Sequence, residues 1–451
     1  MSYLSQLARL GLFDARVPRY TSYPTAPHFS EETGPDDFAR WTRAIPEGAR
    51  LSLYVHIPFC RRLCWFCACR TQGTSSGAPV ARYLEVVKAE LELLAACLPS
   101  GVTLSHLHWG GGTPTLLSPD MIADLSDSIF ATTPMDPGGE FSVEIDPSEI
   151  DDARLDALAK AGMTRASIGV QDFDPDIQKI IGREQSFEIT EAAVNGIRAR
   201  GIDSLNTDIL YGLPQQTPAR ITDSVQKLLS LNPDRVALYG YAHVPWMARR
   251  QTLIPSDALP TPEERLRLFD TARRLFLWDN YDEVGIDHFA RKADDMAIAT
   301  ADGTLRRNFQ GYTVDTGHAL IGLGASAISR FPQGYAQNRS GTGDYAKAVC
   351  DGRFATKRGH TFAGEDLMRA RVIEQIMCRF ETDVQELTST FGAPAEGLNA
   401  LFDRVTLRFE GLVHRIPSGI RITQEGRPLT RMIARQFDAY AMDTAGHSPA
   451  V

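Results

Sequence analysis

The chain reads as an α/β protein: a partial (β/α)6 barrel with an N-terminal arm and a small, mostly helical C-terminal domain. Three observations predict this. From residue 51 to about residue 286, short apolar runs of strand length alternate with longer amphipathic stretches, the signature of a parallel sheet with right-handed crossovers. Six such units are too few to close an eight-stranded barrel. Near residue 364 the pattern changes to helices and one short hairpin. The expected divisions are an arm over 1–50, the barrel with an extension over 51–345, and a C-terminal helical, wing-like domain over 364–451.

In the arm, Pro18, Pro24 and Pro27 interrupt regular structure. Strands are predicted over 51–57, 103–109, 140–146, 166–170, 204–210 and 235–241, with a further short one over 281–286. Helices are predicted over 81–98, 119–130, 152–162, 188–200, 218–230 and 262–279, and Gly162 and Gly201 supply two of the stops. Residues 290–345, rich in Gly, Asn, Asp and Gln, read as loop. Beyond them a helix is expected over 367–380, a hairpin around Ser418 and Gly419, and a last helix over 428–440.

The chain has 451 residues, 43% hydrophobic and 23% charged, which suits a large soluble core and excludes collagen-like, mucin-like and disordered classes. Lys and Arg number 47 against 56 Asp and Glu, a net charge of −9, so no global attraction to nucleic acid or anionic membrane is expected. For the wing-like hairpin this favours a structural or lid role over DNA binding. No apolar run of 18 residues is present, and the first 20 residues lack a signal-peptide core. A reducing cytoplasm is therefore expected, where clustered cysteines mean metal or redox chemistry. The absence of heptads favours a monomer.

Four of the seven cysteines fall between positions 60 and 69; Cys97, Cys350 and Cys378 are scattered and read as small buried hydrophobes. Cys60, Cys64 and Cys67, spaced C-x3-C-x2-C, follow the first strand. Three thiolates on one short loop can converge on one centre, and their softness selects zinc or an iron–sulfur cluster. Structural zinc wants four ligands, usually as two separated pairs, and no second C-x-x-C follows. A zinc knuckle completed by Cys69 or His56 is the competing reading, and a functionless cysteine cluster the second. Three ligands to a four-iron cluster would leave one iron open for a substrate. Trp65 and Phe66, between the ligands, can shield such a cluster or face an adenine.

This cysteine spacing after the first strand of a (β/α) chain resembles the radical S-adenosylmethionine family. Within it, YVHIPFC, the fourth cysteine of CxxxCxxCxC, HWGGGTPT, GVQDF, DILYGLP, DHFAR, RNFQGYT, GLGASAIS and the arm segment PRYTSYPTA look like the oxygen-independent coproporphyrinogen III oxidases (dehydrogenases). The likeness runs from about Pro18 into the C-terminal domain. Ala68 and Gly182 depart from the glycine and asparagine expected there; neither removes a ligand.

The resemblance implies a radical-SAM barrel holding a [4Fe–4S] cluster on Cys60, Cys64 and Cys67, with S-adenosyl-L-methionine on the open iron. The Gly110–Thr115 turn is not a phosphate loop, since no Gly-Lys-Ser/Thr follows; its glycines admit close backbone approach. By resemblance, Gly111, Gly112 and Thr113 hold the amino group of S-adenosylmethionine. Glu144, Gln171 and Asp208 stand at strand ends, where buried carboxylates need partners. Asp208 could form a salt bridge with Arg183 or recognise nucleotide hydroxyls. The resemblance implies that Tyr54, Phe66, Glu144, Gln171, Arg183, Asp208, Ala242 and Ile328 join the glycine turn in contacting two S-adenosylmethionine molecules.

The implied substrate is coproporphyrinogen III. A 5′-deoxyadenosyl radical takes a hydrogen from a propionate, which loses carbon dioxide and one electron to become a vinyl. Two such conversions give protoporphyrinogen IX, in haem biosynthesis. An electron donor and an electron acceptor, neither identified by the sequence, are required. Carboxylates favour arginine forks; Arg19, Arg291, Arg306 and Arg307 are candidates, with Tyr20, Tyr23 and Tyr312 for an apolar pocket and His288 as contact or core residue. The rivals are a haem-degrading methyltransferase type of radical enzyme and a haem-binding chaperone on the same scaffold. Cys69 together with the arm argues against both.

Overall fold

A computed structural model describes residues 3–440 and residue 450. Six parallel strands stand side by side in chain order: β1 (Arg50–Ile57), β2 (Thr103–Gly111), β3 (Met135–Ile145), β4 (Arg165–Gln171), β5 (Ser204–Tyr211) and β6 (Arg235–Gly240). Beyond β6 the edge is closed by an antiparallel hairpin of β7 (Tyr281–Val284) and β8 (His288–Arg291). On the other side of β1 lies β9 (Leu320–Leu323), parallel to it and pairing Tyr54 with Gly322. Antiparallel β10 (Ile328–Phe331), β11 (Gly334–Asn338) and β12 (Thr356–Thr361) complete a sheet of twelve strands.

The period of two sorts the strands into two faces. Leu53, Val55, Trp109, Phe141, Ile168 and Leu205 are buried in one apolar core with Val87, Ile122, Leu155, Val194 and Val225 of the covering helices. The alternate positions are polar: Ser52, Tyr54 and His56 on β1, His106 and His108 on β2, Glu140 and Glu144 on β3, Asn206 and Asp208 on β5. Ser118, Asp151, Ser186, Thr217 and Thr261 each cap the next helix by accepting from the N–H three residues on. Proline follows at 119, 218 and 262, where a missing N–H costs nothing.

The loop expected over 290–345 is instead built of elements. It contains helices Asp295–Ala301 and Thr342–Cys350, a hairpin of Arg306–Asn308 with Gly311–Thr313, and β9 to β11. Its strands are three to five residues long, too short to show a period, and pairing with β1 and with each other creates them. Of the scattered cysteines only Cys378 is buried; Cys97 is half-buried and Cys350 exposed, because the latter two sit at helix ends facing out.

A second core is shared by distant segments. Leu7, Leu12, Val17, Tyr20 and Tyr23 of the arm are buried with Val372, Ile376, Phe402, Ile420 and Phe437. Arg431 Nε donates to Pro18 O at 3.0 Å and Tyr23 Oη accepts from Ala439 N at 2.9 Å. The arm is thereby fastened across the C-terminal segment. No helix among the described residues is long and apolar enough to cross a membrane.

Candidate functional site

The cysteine loop leaves β1 at Pro58 and is anchored at both ends. Phe59–Cys60 pairs with Gln72–Gly73, and Thr74 N donates to Cys60 O at 3.0 Å. Its middle is held from outside: Trp65 N donates to Ile181 O at 2.9 Å, and Gln251 Nε2 to Phe66 O at 2.7 Å. Arg250 Nη2 binds Cys69 O and Thr71 Oγ1. Gly182, in the left-handed region at φ 66, lies under Trp65; a Cβ there would stand 2.9 Å from the indole. The indole occupies the space that the expected asparagine would fill, which is the physical setting of that departure.

All seven cysteines are free thiols. Arg183 Nη1 lies 3.5 Å from Cys64 Sγ, and Cys69 N donates to Cys67 Sγ at 3.4 Å. The Cys69 thiol also hydrogen-bonds Cys67; this bond, the Cys69 N–H and the Arg250 and Arg183 cations outweigh burial and pull the Cys67 thiol down. The same contact pushes Cys69 up. Burial pushes the Cys60 thiol up, partly countered by the Thr113 hydroxyl. Among the described residues no three His, Cys, Asp or Glu side chains gather at a single-ion position. Three soft donors, with a cation and an N–H on their sulfurs, suit an iron–sulfur cluster.

The glycine turn follows β2 and packs directly on this loop. Gly112 N donates to Ile57 O and Thr113 N to Phe59 O, at 2.9 and 2.7 Å. A Cβ on Gly111 would stand 2.3 Å from His56, and one on Gly112 2.5 Å from Phe59 O. The glycines are thus required by the protein's own packing as well as by any ligand. Gly111 N donates to Glu144 Oε2 at 2.9 Å, and His108 Nε2 lies 3.4 Å from Oε1. Burial works to raise the Glu144 carboxyl, but His108 and the Gly111 N–H outweigh it and keep it ionised. Tyr54 stacks on His108 with ring centres 5.7 Å apart, and its hydroxyl meets His56 Nδ1 at 2.9 Å.

Gln171 takes a positive φ of 72 at the irregular end of β4. Beside it Arg183 Nη2 donates to Gly169 O at 2.7 Å, and Nη1 pairs with Asp146 at 3.6 Å. The Asp208–Arg183 salt bridge is not formed. Asp208 accepts from Asn206 Nδ2 at 3.0 Å, and burial pushes its carboxyl up to about 6, against the pull of that amide. Ile328 opens β10 one turn away, beyond Gly324, where a Cβ would lie 2.7 Å from His56 O.

A cavity of about 520 Å³ opens next to the cysteine loop, with Cys69 and Ala242 on its wall, a volume ordinary for small-molecule sites. Cys69 lies deep among neighbouring atoms yet keeps accessible surface there. Of the arginine candidates, Arg19 and Arg307 line the cavity. Arg291 instead pairs with Asp279 at 2.9 Å, and Arg306 with Glu374 at 3.1 Å. Tyr20 and Tyr23 are core residues, and Tyr312 donates to Met377 O at 2.8 Å from within a smaller core. Tyr211, Tyr239, Tyr241 and Phe309 form the aromatic wall. His288 is buried, held by Asp287 at 2.7 Å and by the Tyr239 hydroxyl at 3.3 Å. Sequence reading missed Arg265, Arg431 and Gln251, which sit in stretches read only as helix or not assigned a role.

The Radical SAM superfamily matches residues 54–228. The chain is 62% identical over 451 residues to the oxygen-independent coproporphyrinogen III oxidase of Paracoccus denitrificans, with 100% of both chains covered. It is 38% identical over 444 residues to that of Escherichia coli, covering 97% of this chain and 96% of the relative. A solved structure of the Escherichia coli coproporphyrinogen III oxidase HemN, described as a radical SAM enzyme, superposes with a TM-score of 0.90 at 36% identity, covering 95% of this chain and 100% of that one.

Proposed function

The chain belongs to the oxygen-independent coproporphyrinogen III oxidases of the radical SAM superfamily, and from that premise we propose how its residues divide the work. It is an oxidoreductase of haem biosynthesis, using a [4Fe–4S] cluster and S-adenosylmethionine to turn two propionates of coproporphyrinogen III into vinyls. When bound, these groups supply the 5′-deoxyadenosyl radical that removes a propionate hydrogen.

Cys60, Cys64 and Cys67 hold the cluster as thiolates. Arg183 and the Cys69 N–H, at Cys64 Sγ and Cys67 Sγ, stabilise negative charge on the sulfurs. Gly111, Gly112 and Thr113, with Glu144 kept ionised, receive the amino group of the nucleotide. Tyr54, Phe66, Gln171, Arg183, Asp208, Ala242 and Ile328 complete the contacts to two S-adenosylmethionine molecules. The aromatic wall keeps water from the reacting carbon, and the loop fixes its distance from the substrate. A one-electron donor and an acceptor complete the turnover, and the enzyme works as a cytoplasmic monomer. No two cysteines form a disulfide, which suits a reducing compartment.

One observation carries this reading: Cys69 joins the two halves of the site. Its N–H and thiol hold Cys67, while its surface lines the cavity. The deciding assay is anaerobic: reconstituted protein, reductant, S-adenosylmethionine, coproporphyrinogen III and a cell extract as acceptor source, with products followed by mass spectrometry. Loss of two carboxyl groups together with 5′-deoxyadenosine is expected, and Cys64→Ser should abolish both. Deoxyadenosine without decarboxylation would hand the substrate to another tetrapyrrole reaction, and tight haem binding with neither product would favour the chaperone reading.

A further inference from the structure

The surface around the cysteine loop is locally basic in an acidic chain. Residues 48–84 hold five arginines and no Asp or Glu, and residues 235–256 hold three arginines and no acid, although the whole chain carries −9. The fold sets these two stretches side by side: Arg250 Nη2 donates to Cys69 O at 3.2 Å and to Thr71 Oγ1 at 3.0 Å. Elsewhere around the loop, Arg61 Nη1 donates to Thr74 O at 3.1 Å and Arg62 Nη1 to Glu184 O at 3.4 Å. Carbonyls fix direction without cancelling charge. Arg61, Arg62, Arg70 and Arg249 are exposed, and Arg62, Arg70 and Arg249 form no ion pair among the described residues. Burial and the Arg70 charge pull Arg358 down, so the positive potential continues past the loop. Of the acids beside it, Glu149 meets Arg61 at 3.8 Å, Asp146 meets Arg183 at 3.6 Å, and Glu184 is exposed. Trp246 and Met247, in the same segment as Arg249, are 54% and 64% exposed.

A positive face on a negative protein steers association. An acidic partner is repelled by the rest of the chain and drawn to this face, which raises its rate of encounter and fixes its orientation. Arginine with exposed tryptophan and methionine is also the composition of a contact patch. Position says what the partner must do. Arg61 and Arg62 lie between Cys60 and Cys64, and Arg70 follows Cys69, so a protein seated on them is separated from the ligand sulfurs by the loop alone. Electron transfer slows steeply with distance, and other faces put the sheet or its helices in between. We propose that Arg61, Arg62, Arg70 and Arg249, with Trp246 and Met247, form the docking face for an acidic one-electron carrier protein. This rests on the reading above that Cys60, Cys64 and Cys67 hold a [4Fe–4S] cluster. In the step served, the reduced carrier loses one electron and the cluster gains it; no bond forms or breaks.

The test uses the full-length, cluster-reconstituted protein and, as probe, a bacterial flavodoxin, a small acidic flavin protein. Two quantities are read without oxygen: the affinity for flavodoxin by titration calorimetry, and the rate of 5′-deoxyadenosine formation at sub-saturating reduced flavodoxin. Reduced methyl viologen, a small cation that needs no docking face, is the comparison reductant. Arg62→Glu, Arg70→Glu and Arg249→Glu are each expected to weaken flavodoxin binding and slow the flavodoxin-driven rate by about threefold or more at low ionic strength. The difference should shrink at about 0.5 M salt, where charges are screened, and the viologen-driven rate should not fall. Arg404→Glu, exposed on helix Ala395–Arg408, makes the same charge change on another element and should behave as the parent does. Should a glutamate variant lose iron or melt early, Arg70→Gln and Arg249→Gln remove the charge without reversing it and should show the same effect at smaller size. Parent-like binding and rates in the folded variants, or equal slowing with viologen, overturns the proposal, as does arginine-dependent binding of an RNA oligonucleotide with none of flavodoxin. Arginine-dependent flavodoxin binding by a parent protein that takes up no reducible cluster would sink the cluster reading and leave the docking face standing. Flavodoxin-driven deoxyadenosine formation indifferent to these arginines would do the reverse.

Discussion

Gln251, with 1% of its surface exposed, ties three backbone groups of the site together. Its amide nitrogen donates to Phe66 O and Ala242 O, and its oxygen accepts from Val244 N. Gln251→Ala orphans two carbonyls and an N–H in the interior and should lower stability by about 1–3 kcal/mol, read by urea unfolding. It should also weaken S-adenosylmethionine binding, since Phe66 and Ala242 lose their shared brace. Asp208 offers a pH signature. Its carboxyl ionises near 3.8 when unfolded and near 6 when folded. Between those values the folded state keeps a proton that the unfolded chain has lost, so this residue's share of stability falls as pH rises from about 4 to about 6 and stays low above. Asp208→Asn should flatten that part of the stability–pH curve; a curve superimposable on the parent's would refute the shifted carboxyl. At this scale the sequence singled out Cys60, Cys64 and Cys67 as candidate ligands, because three thiols on one loop have few other uses. Gln251, in a stretch assigned no element, and Arg431, in a helical one, were not legible: a glutamine or arginine looks the same in sequence whether it faces solvent, a cavity or the interior.

Strands β3, β4 and β6 meet in a buried ion network on the polar face of the sheet. Arg165 pairs with Glu140 at 2.7 Å, and Arg235 pairs with Asp294 at 2.7 Å with side chains 7% and 6% exposed. Asp294→Ala leaves the Arg235 guanidinium buried without its counterion and should cost about 3–5 kcal/mol, measured by denaturant unfolding. Adding Arg235→Met should recover much of the loss, as removal of both charges relieves the desolvation penalty. The six parallel strands were readable because each has an apolar alternation, and five of them are followed by a helix with a side-chain N-cap. Strand β9 was not. Leu320–Leu323 is four residues with Gly322 inside it and Gly324 after it, and only the open edge of β1 makes it a strand. Its turn is then locked by Glu90, whose carboxylate accepts from Gly324 N, Tyr345 and Asn338.

At the scale of the molecule, residues 7–23 and residues 372–437 share one core although they lie at opposite ends of the chain. Leu12 is fully buried there, so Leu12→Ala should cost about 2–5 kcal/mol. Limited proteolysis should then cut residues 372–437 sooner than the barrel, because the cavity it leaves lies in their core. Equal protection of both regions would show that the arm does not support that segment. The same fastening brings Arg19 and Arg431 to one cavity, so its wall exists only when arm, barrel and C-terminal segment are assembled. The sequence by itself determined the barrel, the cysteine loop that follows its first strand and the chemistry those thiols can support, since periodicity, capping and ligand spacing are local properties of the chain. Only the tertiary structure decided which arginines and tyrosines face the cavity, that Asp208 meets Asn206 rather than Arg183, and that β9 joins the sheet. Those outcomes depend on contacts between residues tens to hundreds of positions apart, and no local pattern records which distant surface a polar side chain will meet.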